Sequence, residues 1–445
     1  LQSGRAQRLA PSKGVTAQAS AAAFAPDGKH VYVVTDEGTP RAHLRKISLK
    51  SRKEVARYVD AEGEVRFAQA KGKALVVSVD RGSDQTVRIL DRRKLTVRKK
   101  ARLSRGSARM GLLSKDGKEL VLSFSNPQTP LDVFALSTRT GKLRALRKDV
   151  RPGLDKLAQV EAKVERVPSF DELKVPVNVY LPKTRKAGVK LPVLVSVHGG
   201  PSSVYRVRWN PFNAFWISRG FAVVEPNVRG SIGFGKAYER ADNLDKRMDA
   251  VKDLAAVNSW LRKQPWADGD ELVVFGGSYG GYMTYMALGH YPDRWAAGVG
   301  AVGVVNLRTF LRTTTGAIRR VFRGEFGVLP KDAAFLDKVS PITVVDKMVK
   351  PVLIYQGATD PRVPRSEQDQ LVRALRSREV VVEYMVAHDE GHSLSHKHNK
   401  KELLGRMVRF LDQHLGRPLP PACKAATEGA KRLLKTTAKP AKAKK

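Results

Sequence analysis

The sequence contains one cysteine, Cys423, so no disulfide can form within the chain. This composition favours a reducing compartment such as the cytoplasm, although it does not exclude the periplasm. No run of eighteen apolar residues occurs, so no membrane-spanning helix is expected. Acidic residues are also scarce: 43 Asp and Glu stand beside 81 Lys and Arg, for a net charge of +38.

The excess of positive charge is spread along the chain and does not form one recognisable nucleic-acid module. We therefore expect no specific nucleic-acid partner, only weak contacts that salt abolishes. Residues 418–445 are rich in Lys, Ala and Pro, and this composition predicts a disordered basic tail.

One segment carries the strongest chemical signal. An apolar run over 272–275 ends at Gly276-Gly-Ser278-Tyr-Gly280, and an apolar helix-like segment follows at once. This is a G-x-S-x-G pattern between a strand and a helix, the nucleophile elbow of α/β-hydrolases. Gly276 and Gly280 leave room for the tight turn that exposes the serine. Ser278 is therefore the candidate nucleophile.

A serine hydroxyl requires a base and an orienting acid, which follow in this architecture in the order serine, acid, histidine. A predicted strand over 351–357 ends just before Asp360, and another over 380–386 ends before a loop that contains Gly391 and His392. Open α/β sheets bind ligands beyond the carboxyl ends of their strands. We therefore expect Asp360 and His392 to join Ser278.

Three other histidines lie near His392. His396 and His398 stand among lysines and are interpreted as a solvated helix start, which leaves His388 as the competing base. His392 is preferred because it follows a glycine in the loop. Clustered histidines can also bind metal, but neither H-E-x-x-H nor a Cys/His ligand spacing occurs, so no metal is expected.

The oxyanion hole has its own candidate residues. An apolar strand over 191–197 ends in His198-Gly-Gly200-Pro201, a turn that can aim backbone amides at a substrate carbonyl. The N–H groups of Gly200 and Tyr279 are the predicted donors. A further glycine-containing loop over 227–235 lacks phosphate-binding and dinucleotide-binding spacing, so it is interpreted as a packing loop beside the active site.

Together these residues resemble the prolyl oligopeptidase family of serine peptidases, and most of all its acylaminoacyl peptidase branch. The resemblance covers residues 165–417 and occurs in family order at His198-Gly-Gly-Pro201, Asn227-x-Arg-Gly-Ser-x-Gly-x-Gly235, Gly276-Gly-Ser-Tyr-Gly-Gly281, Gly357-x-x-Asp360 and Gly391-His392.

The resemblance implies Ser278 as nucleophile, His392 as general base and acid, and Asp360 as its orienting partner. It also implies short peptides or acyl-peptides as substrates, and neither a metal nor a cofactor. Dipeptidyl peptidases of this family hold the substrate amino terminus with paired glutamates in the propeller. Residues 1–150 contain no adjacent glutamate pair, so dipeptidyl cleavage is not expected.

The first third of the chain, residues 1–155, has an internal repeat. Turn glycines at 28, 72 and 117 recur at intervals of 44 and 45 residues, and a β-strand pattern follows each of them. This period is typical of four-stranded propeller blades; the alternative is a β-meander whose spacing is accidental. Three blades do not close a propeller and the chain starts at Leu1, so we expect an N-terminal portion to be missing; the alternative is a divergent protein with a shortened propeller. Exposed strand edges would then favour homo-oligomers.

The predicted fold class is α/β, with a doubly wound α/β-hydrolase sheet over 165–417 preceded by an incomplete β-propeller over 1–155. Residues 307–350 are expected to form an insertion over the site, with arginines on a solvated face. The leading function is a serine peptidase. The alternatives are a carboxylesterase with the same triad and a non-catalytic propeller-bearing binding protein.

Overall fold

The computed structural model describes residues 8–147, 151–154, 159–314 and 316–416. The chain divides into two compact units, the first comprising residues 1–269 with 320–328 and the second residues 270–319 with 329–445. The predicted tail over 418–445, with Cys423, lies outside the described residues, as does the predicted boundary at residue 155. The predicted domain boundaries therefore remain predictions.

The first unit begins with three antiparallel four-stranded sheets, each a simple meander. The turn glycines at 28, 72 and 117 all have positive φ, as a tight hairpin turn requires. Each sheet has the strand order of a propeller blade. The strands are β1 Ala19–Phe24, β2 His30–Thr35, β3 His43–Ser48, β4 Glu54–Tyr58, β5 Glu64–Lys71, β6 Ala74–Asp80, β7 Gln85–Leu90, β8 Val97–Lys100, β9 Ser107–Leu113, β10 Glu119–Asn126, β11 Thr129–Ser137 and β12 Leu143–Ala145.

Two apolar clusters join neighbouring blades. One packs Val34 and Leu44 of the first blade against Leu75 and Val77 of the second. The other packs side chains of the second blade, such as Val87, against strands of the third. Because β6 alternates its side chains between the two clusters, the second blade contributes to both interfaces.

The remainder of the first unit alternates strands and helices. Strands β13, β14, β16 and β15 are adjacent in that order, with β15 and β16 parallel and the other pairs antiparallel. The elements are β13 Val160–Pro168, β14 Lys174–Pro182, β15 Leu191–Val197, α1 Pro211–Ser218, β16 Ala222–Pro226, α2 Lys236–Glu239, a 3₁₀ turn at Leu244–Lys246 and α3 Arg247–Leu261.

The second unit contains parallel strands in the order β17, β18, β19 and β20. The apolar central strands are buried, as expected where helices cover a parallel sheet. The elements are β17 Ala267–Gly277, α4 Tyr279–His290, β18 Ala297–Ala301, α5 Leu307–Thr313, α6 Gly316–Phe326, α7 Ala333–Lys338, β19 Val352–Gly357, α8 Arg365–Arg376, β20 Val382–Ala387 and α9 Lys397–His414, with 3₁₀ turns at Pro292–Arg294 and Pro341–Lys347. The first residues of β17, 267–269, belong to the first unit, and so do the last residues of α6, 320–326.

Within the described part of the chain, every helix is too short or too polar to cross a lipid bilayer.

Candidate active site

Ser278 is the single residue between β17 and α4. Its backbone lies at φ 57° and ψ −121°, an unusual conformation for a residue with a side chain. The turn is so tight that a Cβ atom on Gly276 would lie 2.3 Å from the carbonyl carbon of Gly280. Ser278 holds the N-cap position of α4, yet its hydroxyl does not cap the helix. The hydroxyl is therefore available to another partner.

That partner is His392, in the loop after β20. Its Nε2 atom lies 3.0 Å from Oγ of Ser278, and its Nδ1 atom lies 2.7 Å from Oδ2 of Asp360. The three predicted residues thus lie in one hydrogen-bonded row within the second unit. Among the hydrogen bonds of the described residues, the histidine that contacts Ser278 is His392 and not the competing His388.

Asp360 follows β19, as predicted, and its side chain is fully buried. Its Oδ1 atom accepts the backbone N–H groups of Arg362 at 2.8 Å and Val363 at 3.0 Å. These bonds fix the carboxylate, so that Oδ2 alone faces the imidazole. A carboxylate in this position makes Nδ1 the protonated nitrogen of His392.

The other two nearby histidines lie beside other carboxylates, His396 beside Asp389 and Glu390 and His398 beside Asp389. His396 is the N-cap residue of α9 and His398 lies in its first turn. The nearest ring nitrogens of His396 and His398 lie 3.6 Å and 3.0 Å from Oδ2 of Asp389. Among the described residues, no group of three His, Cys, Asp or Glu side chains is arranged to hold a metal ion.

Glu390, two residues before the histidine, was not predicted. Its buried carboxylate accepts the backbone N–H groups of Ser395 and His396, at 2.9 Å and 2.6 Å. Its carbonyl accepts both the N–H and the hydroxyl of Thr359, the neighbour of Asp360. Burial alone would raise the pKa of Glu390, but these amide donors hold it below its usual value. Glu390 therefore links the acid loop, the histidine loop and the start of α9.

Glu367 of α8 is a second buried carboxylate that sequence reasoning missed. It accepts the N–H groups of Val305 at 3.1 Å and Asn306 at 2.8 Å, in the loop that follows β18. Burial raises its pKa in spite of these bonds. The same loop begins at Ala301, whose carbonyl accepts the N–H of Ser278 at 2.8 Å. The only signal for Glu367 in the sequence is that an acidic residue follows soon after the Asp360 loop.

The predicted oxyanion donors lie at the ends of two different strands. Gly200 follows β15 in the first unit, and a Cβ atom on it would lie 2.9 Å from the nitrogen of Ser202. Its φ of 141° also disfavours any side chain. Tyr279 is the first residue of α4 in the second unit, and its ring stacks on that of Tyr282 at 5.6 Å.

The loop over 227–235 is fixed by a buried arginine. The Arg229 guanidinium binds both oxygens of Asp253 and both oxygens of Asp171, at 2.8–3.0 Å. These carboxylates raise the pKa of Arg229 despite the burial that would lower it. The geometry is that of a structural anchor, in agreement with the interpretation as a packing loop.

The arginines of 307–350 divide between two environments. Arg308 forms an ion pair with Asp337 at 2.5 Å on a partly exposed surface. Arg312, Arg319 and Arg323 are exposed. The solvated face therefore agrees with the prediction, and the side chain of Arg320 lies outside the described residues.

Comparison with known proteins links this site to one family. Residues 207–418 match the model of the prolyl oligopeptidase family. Dipeptidyl aminopeptidase BIII of Pseudoxanthomonas mexicana is 31% identical over 415 residues, which cover 90% of this chain and 60% of that protein. The human acylamino-acid-releasing enzyme is 30% identical over 234 residues, which cover 51% of this chain and 32% of that enzyme. The chain thus spans less than two thirds of the length of each of these relatives.

The fold is also shared with solved structures. A puromycin-hydrolysing peptidase of Mycobacterium tuberculosis superposes with a TM-score of 0.81 at 23% identity, covering 91% of this chain and 63% of that one. This likeness and the family match confirm the predicted fold class, an α/β-hydrolase domain preceded by propeller blades. Residues 207–418 therefore carry the likeness of this chain to the prolyl oligopeptidase family.

Proposed function

We propose that the protein is a serine peptidase that hydrolyses short peptides or acyl-peptides. The observation that carries the proposal is the position of His392 between two partners, 3.0 Å from Oγ of Ser278 and 2.7 Å from Oδ2 of Asp360. This arrangement can remove the proton of a serine hydroxyl at neutral pH and stabilise the imidazolium that results.

In the first half of the reaction, Oγ of Ser278 attacks the scissile carbonyl carbon while Nε2 of His392 takes the hydroxyl proton. The carbonyl oxygen becomes an oxyanion, which the N–H groups of Gly200 and Tyr279 stabilise. His392 then gives its proton to the leaving nitrogen, and the C–N bond breaks. The products are a free amine and an acyl group esterified to Ser278.

In the second half, a water molecule takes the place of the leaving amine. Nε2 of His392 removes one proton from the water as its oxygen attacks the ester carbon. The same proton returns to Oγ of Ser278 when the ester bond breaks, which releases the carboxylic acid. Asp360 keeps Nδ1 protonated through both halves and does not itself take up the proton.

The choice of peptides rests on the relatives, since the triad atoms serve amide and ester hydrolysis alike. The two relatives described above are named for releasing dipeptides and acylated amino acids. The blades of the first unit favour peptides further, because a propeller restricts access to short substrates in the family that the sequence resembles.

Three chromogenic substrates test the proposal, each with the wild type and with Ser278→Ala. They are an N-acetylated amino-acid anilide, an unblocked dipeptide anilide and a short-chain acyl ester. We expect amide hydrolysis in the wild type that falls by several orders of magnitude in the variant. Ester hydrolysis alone would indicate the carboxylesterase. The absence of both activities from folded protein would favour the binding protein. Cleavage of the unblocked dipeptide anilide would contradict the expectation drawn from the missing glutamate pair.

A further inference from the structure

A cavity of about 460 Å³ lies entirely within the first unit, and the proposed mechanism does not use it. Ligand pockets commonly have volumes of about 300–1,000 Å³ and an apolar lining with a few polar groups. The lining of this cavity includes residues 39–41 of the turn after β2, Val59 and Asp60 before β5, and Phe234 and Gly235 before α2. In size and in composition it therefore corresponds to a ligand site.

Contacts between the blades and the segment before α2 fix the walls of the cavity. The backbone N–H of Lys236 donates to the carbonyl of Pro40 at 3.1 Å, and the Nζ atom of Lys236 lies 3.0 Å from Oδ2 of Asp36. The ring of Phe234 packs so closely on Gly82 that a Cβ atom on this glycine would lie 2.1 Å from the ring. The cavity therefore has preorganised walls, which lower the cost of binding a ligand.

The acidic side chain of the lining, Asp60, already has partners for both of its oxygens. It is 5% exposed, and its Oδ2 atom accepts hydrogen bonds from the hydroxyl of Tyr58 at 2.5 Å and from Nε of Arg88 at 3.1 Å. Its Oδ1 atom accepts the backbone N–H of Glu62 at 2.9 Å. Because Arg88 compensates this carboxylate, Asp60 adds no unpaired negative charge to the cavity.

The basic side chain of the lining, Arg41, is partly buried and unpaired. Among the residues that the structure describes, no carboxylate lies within ion-pair distance of its guanidinium. Glu64, which accepts the N–H of Gly235 at 2.7 Å, pairs with Arg66 at 3.0 Å. A Cβ atom on Gly235 would lie 3.6 Å from Cγ of Arg41, so the arginine stem packs against this glycine. The N–H donors of the Arg41 guanidinium are thus available to a ligand.

A largely apolar cavity with one unpaired guanidinium is complementary to an apolar ligand that carries a carboxylate. A guanidinium can donate two parallel N–H bonds to the two oxygens of a carboxylate, and such charge-assisted bonds are stronger than neutral ones. The carboxyl end of a peptide combines this group with an adjacent side chain in a single residue.

We propose that this cavity binds the carboxyl end of a short peptide, with the terminal carboxylate on Arg41 and the last side chain beside Phe234 and Val59. The choice of a peptide as the carrier of the carboxylate rests on the proposed function. The binding itself needs no catalysis. It is therefore measured in the whole chain carrying Ser278→Ala, so that no peptide is hydrolysed during the titration.

Two probes differ only in the group that Arg41 contacts in the proposed complex. They are N-acetyl-leucyl-phenylalanine and its carboxamide, which have the same side chains and differ in charge. Isothermal titration calorimetry should show that the acid binds about 10- to 100-fold more tightly than the amide, the range expected for a hydrogen bond to a charged group. Equal affinity for the two probes, or undetectable binding of the acid, would overturn the proposal even if every variant failed to fold.

Three substitutions show whether the acid binds in this cavity. Arg41→Gln removes the guanidinium, and Val59→Trp fills the cavity from a side chain that is 50% exposed. Arg93→Gln is the matched control, because it removes an equal charge from the turn between β7 and β8, outside the cavity lining. All three are compared by thermal unfolding, so that loss of folded protein is distinguished from loss of affinity.

We expect Arg41→Gln to weaken binding of the acid by about 10- to 100-fold and to leave binding of the amide unchanged. Val59→Trp should weaken both probes, and Arg93→Gln neither. Equal losses of acid binding in Arg41→Gln and Arg93→Gln at equal stability would reveal a response to net charge alone and overturn the proposal. Wild-type protein without Ser278-dependent hydrolysis would instead contradict the proposed function, so the two failures differ.

Discussion

Nδ1 of His392 lies 2.7 Å from Oδ2 of Asp360, while backbone N–H groups occupy the other carboxylate oxygen. The aspartate is thus aimed at a single ring nitrogen. It selects the tautomer whose free Nε2 faces Ser278, 3.0 Å away. The orientation of the base follows from the geometry of the acid loop.

Replacing Asp360 by asparagine should reverse this tautomer. The amide nitrogen would donate to Nδ1, which places the proton on Nε2 and blocks proton transfer from Ser278. We expect kcat to fall by about 10³–10⁴-fold with little change in thermal stability. Steady-state kinetics of Asp360→Asn measure this, and a loss below tenfold would mean that the carboxylate does not control the base.

Two neighbouring glycines at the end of β17 make a matched pair. A Cβ atom on Gly276 would lie 2.3 Å from the backbone of Gly280, whereas one on Gly277 finds its nearest atom, the carbonyl oxygen of Ala301, at 3.7 Å. Gly276→Ala should therefore destabilise the protein by about 1–3 kcal/mol and distort the serine turn, as overpacking does. Gly277→Ala should change the stability and the turnover much less. Urea unfolding and turnover of both variants test this, and similar losses in the two would contradict it.

Glu390 holds the histidine loop through its carboxylate. One of its oxygens, Oε1, accepts three hydrogen bonds, from the backbone N–H groups of Ser395 and His396 and from the side-chain amide of Asn399. Glu390→Gln keeps such an oxygen, whereas Glu390→Ala loses every hydrogen bond of the side chain. We expect kcat to fall by about 10- to 100-fold in the alanine variant, because small displacements of a catalytic group are costly, and by far less in the glutamine variant. Kinetics that show equal effects would indicate that the charge matters more than the hydrogen bonds.

The buried His198 makes stability depend on pH. Its pKa of about 4 in the folded protein lies below the ordinary value of 6.5, so the unfolded chain binds the proton more tightly. The stabilisation from burying the neutral ring is complete above pH 6.5 and is lost as the pH falls towards 4. Between pH 7 and pH 4.5 the free energy of unfolding of the wild type should therefore fall by about 2–3 kcal/mol more than that of His198→Asn. Urea unfolding of both proteins at both pH values measures the difference. Equal losses of stability in the wild type and in His198→Asn would show that His198 is not the cause.

Much of this site could be predicted from the sequence because strand ends are local signals. Apolar runs that stop at Gly276, at Gly357 and before His388 mark the carboxyl ends of parallel strands, where loops carry the chemistry. The blades were predictable for a similar reason, since each hairpin turn needs a glycine at a regular interval.

Contacts between distant loops were not predictable. His198 and Ser231 are 33 residues apart, and Glu390 contacts Thr359 across 31 residues. Such pairs depend on how two loops are folded, which hydrophobic periodicity does not encode. The start of α3 is of the same kind: the helix begins at Arg247, after a turn in which Leu244 has positive φ.

Labelling with a fluorophosphonate probe tests the central claim most directly, because the probe reacts only with an activated serine. Native protein, heat-denatured protein and folded Ser278→Ala are compared under the same conditions. We predict labelling of the native chain alone. Undiminished labelling of Ser278→Ala, or no labelling of folded wild-type protein, would contradict the assignment of Ser278 as the nucleophile.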